Sequence, residues 1–66
     1  MNFHEFTFDE FESIKQRAML NEELSMIFEL KIKSYSTYQI AMELNLSERT
    51  VTRRIKQLKD KIKRVL

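Results

Sequence analysis

The 66-residue chain contains no glycine, proline, cysteine or tryptophan. Without cysteine it cannot form a disulfide or a thiolate zinc site, and it has no thiol nucleophile. Without glycine it cannot form the glycine-rich loops that bind phosphate, and tight β-turns are disfavoured. The chain has no signal-peptide pattern and no segment close to the roughly 20 apolar residues that span a bilayer. These absences favour an all-α protein located in the cytoplasm, with no membrane partner.

Catalytic and metal-binding arrangements are also missing from the sequence. His4 is the single histidine and lies near the N-terminus, with no second histidine or cysteine to complete a metal site. Glu22 and Glu23 are adjacent, and neighbouring residues on a helix point about 100° apart, so they cannot share a substrate. We therefore expect neither an enzyme nor a bound metal or cofactor.

Charge is distributed unevenly along a chain whose composition is that of a folded domain. Hydrophobic residues make up 42% and charged residues 33%, and we expect one domain over residues 1–66 with residues 1–7 as an N-terminal arm. Residues 1–33 carry four Lys or Arg against seven Asp or Glu, a net charge of −3. Residues 34–66 carry eight against three, a net charge of +5. A basic half of this kind suits a polyanion such as DNA, although it could also be a solvated helix face.

Capping residues and shifts in the apolar period predict four helices. Thr7 with Glu10 and Ser36 with Gln39 form two capping-box patterns, and Ser47 is a third N-cap. We predict helices over about 8–19, about 22–33, from Ser36 to about Asn45, and over about 48–65. Asn21 is the predicted N-cap of the second helix, and because it alone separates the first two, one continuous helix remains an alternative there. Asn45 can take the left-handed conformation that a helix end often needs.

The apolar positions predict which residues form the core. One face of the first helix carries Phe8, Phe11, Ile14 and Ala18, and the next two helices contribute Leu24, Ile27, Phe28, Ile40, Ala41 and Leu44. Phe3 and Phe6 either fold back over the last helix or contact a partner.

The last helix carries an apolar seam with a spacing of four and three residues, formed by Val51, Ile55, Leu58, Ile62 and Val65. Two heptads are too few to hold a dimer alone, so packing within the chain is favoured. The alternative is a homodimer through Leu58, Ile62 and Val65, or through the Phe-rich N-terminus.

Residues 37–55 match the requirements of a helix-turn-helix motif. Two short helices can cross near a right angle only with a small residue at their closest approach, and Ala41 occupies that position. The other positions of the pattern that face the core or cap the turn hold suitable residues: Ile40, Leu44, Leu46, Ser47, Val51 and Ile55. The pattern Ile40-Ala41, Leu44, Leu46-Ser47 and Thr50-Val51 resembles the promoter-reading C-terminal domain of bacterial sigma factors and the output domain of LuxR-type regulators. The resemblance covers about residues 22–65, and Asn45 replaces the glycine common in those turns.

This resemblance implies which side chains meet DNA. The outward residues of the last helix would read base edges, namely Glu48, Arg49, Thr52 and Arg53. Contacts to the DNA backbone would come from Ser36, Thr37, Tyr38, Gln39, Arg54, Lys56 and Lys59.

The function predicted from these features is sequence-specific binding of double-stranded DNA. The size suggests a small transcriptional regulator of bacterial, phage or mobile-element type. Two alternatives remain open. One is a helical interaction module that docks on a protein such as RNA polymerase through its acidic, Phe-rich N-terminal face. The other is a phage protein that recognises DNA for packaging, replication or excision.

Overall fold

The computed structural model describes residues 2–66, and four α-helices account for most of them. They are α1 (Phe8–Arg17), α2 (Glu22–Ile32), α3 (Thr37–Leu44) and α4 (Glu48–Val65), preceded by a short 3-10 turn at Phe3–Glu5. The predicted all-α architecture is confirmed. The predicted arm is described from residue 2 onward.

All four predicted N-caps are present. The Thr7 hydroxyl accepts the Glu10 N–H at 3.1 Å while the Glu10 carboxylate accepts the Thr7 N–H at 2.9 Å. Asn21 accepts the Leu24 N–H at 2.8 Å, so α1 and α2 are separate helices. Side-chain oxygens at these positions satisfy N–H groups that have no partner inside the helix.

Three helices end on a non-glycine residue with positive φ, namely Met19 (52°), Ser34 (69°) and Asn45 (57°). After each one, the next residue donates its N–H back into the helix: Leu20 to the Lys15 carbonyl, Tyr35 to Leu30 and Leu46 to Ala41, at 2.9–3.1 Å. This is the Schellman arrangement, which satisfies the last carbonyls of a helix and normally uses glycine. The residue that follows each positive φ is apolar or aromatic and half-buried against the core.

The core is built around Phe28 of α2, which is completely buried. Three rings meet Phe28 edge-on, those of Phe3 (5.9 Å between centroids), Phe6 (5.6 Å) and Phe11 (5.1 Å). Phe3 therefore belongs to the core and not to a partner interface. Around this junction α2 and α3 pack on α4, and α1 packs on both α2 and α4.

One core prediction is wrong. Phe8 is 56% exposed, although its spacing with Phe11 and Ile14 placed it on the buried face. Phe3 and Phe6 of the arm fold back onto Phe28 of α2, and Phe11 contacts the same ring, so Phe8 is left outside this cluster. Phe8 keeps an edge-on contact with Phe11, at 6.5 Å between centroids.

The apolar seam of α4 packs inside the chain. Val51, Leu58 and Ile62 are completely buried, and Ile55 and Val65 are half-buried. The alternative prediction, a homodimer contact through Leu58, Ile62 and Val65, is therefore wrong. Leu58 and Ile62 have no exposed surface with which to contact a second copy. At the Phe-rich N-terminus, Phe3 and Phe11 are buried and Phe6 is half-buried, so of the four rings there only that of Phe8 is exposed.

Candidate nucleic-acid interface

The turn between α3 and α4 sets the direction of the last helix. Asn45 takes the left-handed conformation, the Leu46 N–H returns to the Ala41 carbonyl at 2.9 Å, and the Leu46 side chain lies half-buried. Ser47 then caps α4 by accepting the Thr50 N–H at 3.0 Å. The Ser47 hydroxyl also donates to the Thr50 hydroxyl at 2.9 Å, so both the backbone and the side chain of Thr50 bond to the capping residue. Asn45, Leu46 and Ser47 thus end α3 and begin α4, and the first turns of α4 stay exposed on one side.

The outward face of α4 is basic. At 100° per residue, Arg49, Arg53 and Lys56 lie within about 60° of one another and opposite the buried residues Val51 and Leu58. All three cationic side chains are exposed. Glu48 and Thr52, the other two residues predicted to read bases, are exposed as well. The four predicted base-reading residues therefore share the first two turns of one exposed helix face.

The start of α3 lies beside this face and presents polar groups. Ser36 and Gln39 form a capping box: Ser36 accepts the Gln39 N–H at 3.1 Å and Gln39 accepts the Ser36 N–H at 2.8 Å. The side-chain oxygen of Gln39 is thus occupied by the Ser36 N–H, while the side-chain NH₂ of Gln39 and the Ser36 hydroxyl proton are available to donate. The N–H groups of Thr37 and Tyr38 occupy the first turn, where no intrahelical acceptor exists. The Tyr38 side chain is 59% exposed.

Arg54 does not share the exposed face. Its Nε lies 2.5 Å from a carboxylate oxygen of Glu23, so the side chain bridges α4 to α2. This pair was not foreseen, because the two residues are 31 positions apart. The Glu23 carboxylate competes with phosphate for this guanidinium, and the DNA backbone contact of Arg54 stays a prediction.

Lys59 is half-buried, with its Nζ 5.8 Å from the centroid of the Phe3 ring. Lys31 of α2 lies at the same ring, at 5.9 Å. Sequence reasoning did not select Lys31, although its position on the same helical face as Ile27 and Phe28 was a signal that it points toward the other helices.

Residues 16–62 match the family model of sigma-70, region 4. The match covers 47 of the 66 residues, from the end of α1 to the last turn of α4, and so includes the whole α3–α4 unit. The chain belongs to the sigma-70 region 4 family. Region 4 is a helix-turn-helix DNA-binding domain, non-enzymatic in kind, that acts in transcription and binds both DNA and RNA polymerase. The predicted sigma-factor resemblance is confirmed.

Comparisons of the chain with curated proteins and with solved structures gave no match. The assignment to region 4 therefore stands on the family model and on the geometry of the α3–α4 unit.

Residues 2–66 contain no group of three or more His, Asp or Glu side chains arranged to hold a metal ion. None of their helices is long and apolar enough to cross a membrane.

Proposed function

We propose that this region 4 domain binds double-stranded DNA sequence-specifically and regulates transcription in the cytoplasm, with the N-terminal half of α4 in the major groove. The observation that carries the proposal is the exposed stripe of Arg49, Arg53 and Lys56 on the α4 face opposite the core. A major groove about 12 Å wide admits one helix, and the turn at Asn45 leaves the start of α4 accessible to it.

Within the groove, each residue has a chemical partner. Arg49 and Arg53 can each donate two hydrogen bonds to the O6 and N7 atoms of guanine, Glu48 can accept from a cytosine amine, and Thr52 can contact a thymine methyl group. The free N–H groups of Thr37 and Tyr38, the remaining donors of Ser36 and Gln39, and the ammonium groups of Lys56 and Lys59 bind phosphates on the flanking strands.

The test compares Arg53→Ala with the matched control Arg64→Ala, which removes the same charge from an exposed position near the end of α4. A duplex selected from a random library with the wild-type domain is titrated beside an unselected duplex at one salt concentration. Arg53→Ala should lower the preference for the selected duplex by about 10- to 100-fold, since a bidentate arginine–guanine contact is worth about 1–3 kcal/mol. Far-ultraviolet circular dichroism should show unchanged helicity.

Arg64→Ala should weaken binding to both duplexes equally, because it removes only a charge contribution. Equal loss of preference in the two variants, or failure of the wild-type domain to select any duplex, contradicts the proposal.

A second candidate function, docking on RNA polymerase, has a specific surface in its favour. Met26, Leu44 and Leu46 line an apolar groove between α2 and the α3–α4 turn, and Glu22 and Glu23 form its rim. The predicted docking surface, an acidic and Phe-rich N-terminal face, has Phe3 and Phe11 buried and retains only Phe8 as an exposed ring, so the groove offers more apolar surface. Glu23 is held by Arg54, whereas Glu22 takes part in no ion pair among residues 2–66, so the groove suits an apolar segment with a basic residue that can meet Glu22. Since it lies away from the stripe on α4, docking there is compatible with DNA binding.

A further inference from the structure

A cleft of about 400 Å³ opens beside the α4 interface, between the N-terminal arm, the end of α2, the start of α3 and the middle of α4. Its polar lining consists mostly of cationic and hydroxyl-bearing side chains, including Lys31, Ser34, Tyr35, Thr37, Thr52 and Lys59. No aspartate or glutamate lines it. In a chain with ten acidic residues, this local absence leaves the cleft positively charged.

Both lysines of the cleft lie against the same buried aromatic ring. Phe3 is 5% exposed and packs on Phe28, so its ring is held in place. Lys31 Nζ and Lys59 Nζ lie 5.9 and 5.8 Å from the centre of that ring. Neither lysine takes part in an ion pair among residues 2–66, where the pairs involve Lys15, Lys33 and Arg54. Two like charges held near one site with no carboxylate between them favour a bound anion.

The hydroxyl groups in the cleft suit an anion that carries several oxygen atoms, such as phosphate. Thr37 and Thr52 line the same cleft from α3 and α4, and the Thr37 N–H belongs to the first turn of α3. Ammonium groups, hydroxyls and the N–H groups of a helix start are the donors that proteins use for phosphate oxygens. Thr37, Thr52 and Lys59 also belong to the predicted DNA contacts, so the cleft is continuous with that surface.

We propose that this cleft is a phosphate-binding site formed by Lys31 and Lys59 under the N-terminal arm. Its ligand is a phosphate of the DNA strand that borders the groove occupied by α4, an extension of the interface that rests on the proposed DNA binding. A free phosphate ion would satisfy the same donors, and the experiment separates the two sources.

The first measurement is the salt dependence of binding to a labelled duplex between about 50 and about 200 mM salt, where each phosphate contact contributes a slope of about 0.9 in log affinity against log salt. In the double variant Lys31→Gln/Lys59→Gln the slope should be shallower by about 2. The control is the double variant Lys33→Gln/Lys63→Gln, which removes the same total charge from two exposed positions outside the cleft. Lys33 directly follows α2 and Lys63 lies in α4, the two helices that carry the cleft lysines. The salt slope of this variant should stay near that of the wild type. Lys31→Arg/Lys59→Arg should restore the wild-type slope.

The second measurement follows backbone amide chemical shifts by NMR while inorganic phosphate replaces chloride at constant ionic strength, without DNA. Saturable shifts at Lys31 and Thr37 that vanish in the Gln double variant identify a site for free phosphate. These shifts test phosphate binding in the cleft even if no duplex binds and the proposed function fails. A loss of salt slope without such shifts assigns the site to the DNA strand. If the two double variants have equal salt slopes and phosphate produces no saturable shift, the proposal is overturned.

Discussion

The positive-φ residues show how a chain without glycine ends its helices. The left-handed conformation costs an ordinary residue about 1–2 kcal/mol because its Cβ crowds the backbone. Asn45 has a short polar side chain that tolerates this conformation. Met19 and Ser34 adopt it at the ends of α1 and α2, where it raises the free energy of the folded chain. The hydrogen bonds that follow each residue, and the burial of Leu20, Tyr35 and Leu46, offset it.

We predict that Met19→Gly stabilises the domain by about 0.5–1 kcal/mol. Glycine adopts φ near 52° without strain, and the 84% exposed Met19 side chain contributes no packing that would be lost. Urea unfolding followed by circular dichroism measures the change. The control Met42→Gly replaces another exposed methionine, inside α3, and should destabilise by about 1 kcal/mol. A lower stability for Met19→Gly would mean that the left-handed residue carries no strain.

At the scale of the elements, α4 has two faces with different roles. Val51, Leu58 and Ile62 anchor one face in the core, and Arg49, Arg53 and Lys56 are exposed on the other. The end of α4 is also tied to α1, because the Arg17 guanidinium donates to the Val65 carbonyl, where a cation suits the helix dipole. Packing of the buried face therefore fixes where the basic face points.

We predict that Ala41→Leu lowers stability by about 1–3 kcal/mol and weakens DNA binding further than the stability loss explains. Ala41 is 6% exposed in the motif where α3 packs on α4, so a larger side chain must push the two helices apart and rotate the reading face. Thermal unfolding and duplex titration below the melting transition separate the two effects. Met42→Leu changes the neighbouring 67% exposed residue and should leave both unchanged. Wild-type affinity in folded Ala41→Leu would show that this helix crossing does not set the interface.

At the scale of the whole molecule, stability depends on one aromatic junction. Phe28 holds the arm through Phe3 and Phe6 and holds α1 through Phe11, with all three rings edge-on, a geometry worth about 0.5–1.5 kcal/mol per pair beyond burial. The junction also positions the Phe3 ring that both cleft lysines contact.

We predict that Phe28→Ala costs about 3–5 kcal/mol, a large part of the stability expected for 66 residues. The variant should be partly unfolded at 37 °C in a thermal scan and should lose protection in amide hydrogen exchange along the arm, α1 and α2 together. Phe8→Ala, at a 56% exposed position, should cost less than 1 kcal/mol. Similar costs for both variants would place the centre of the core elsewhere.

Local patterns in the sequence were sufficient for the four helices, their N-caps, the left-handed Asn45 and the α3–α4 motif. Each of these depends on interactions within a few residues of the chain. Capping bonds span three positions, and helix periodicity reports directly which face is apolar. The exposure of the four residues predicted to read bases was predictable for the same reason, since the outward face of α4 is the complement of its buried face.

Contacts between distant segments were decided by the tertiary structure alone. Phe3 is buried and Phe8 is exposed, Glu23 pairs with Arg54, and Lys31 and Lys59 both contact the Phe3 ring. In each case several residues compete for one place, and the outcome depends on how α2 and the arm lie against α4. Periodicity within one helix says which residues turn inward but not which partner they meet, because that is set by packing between helices.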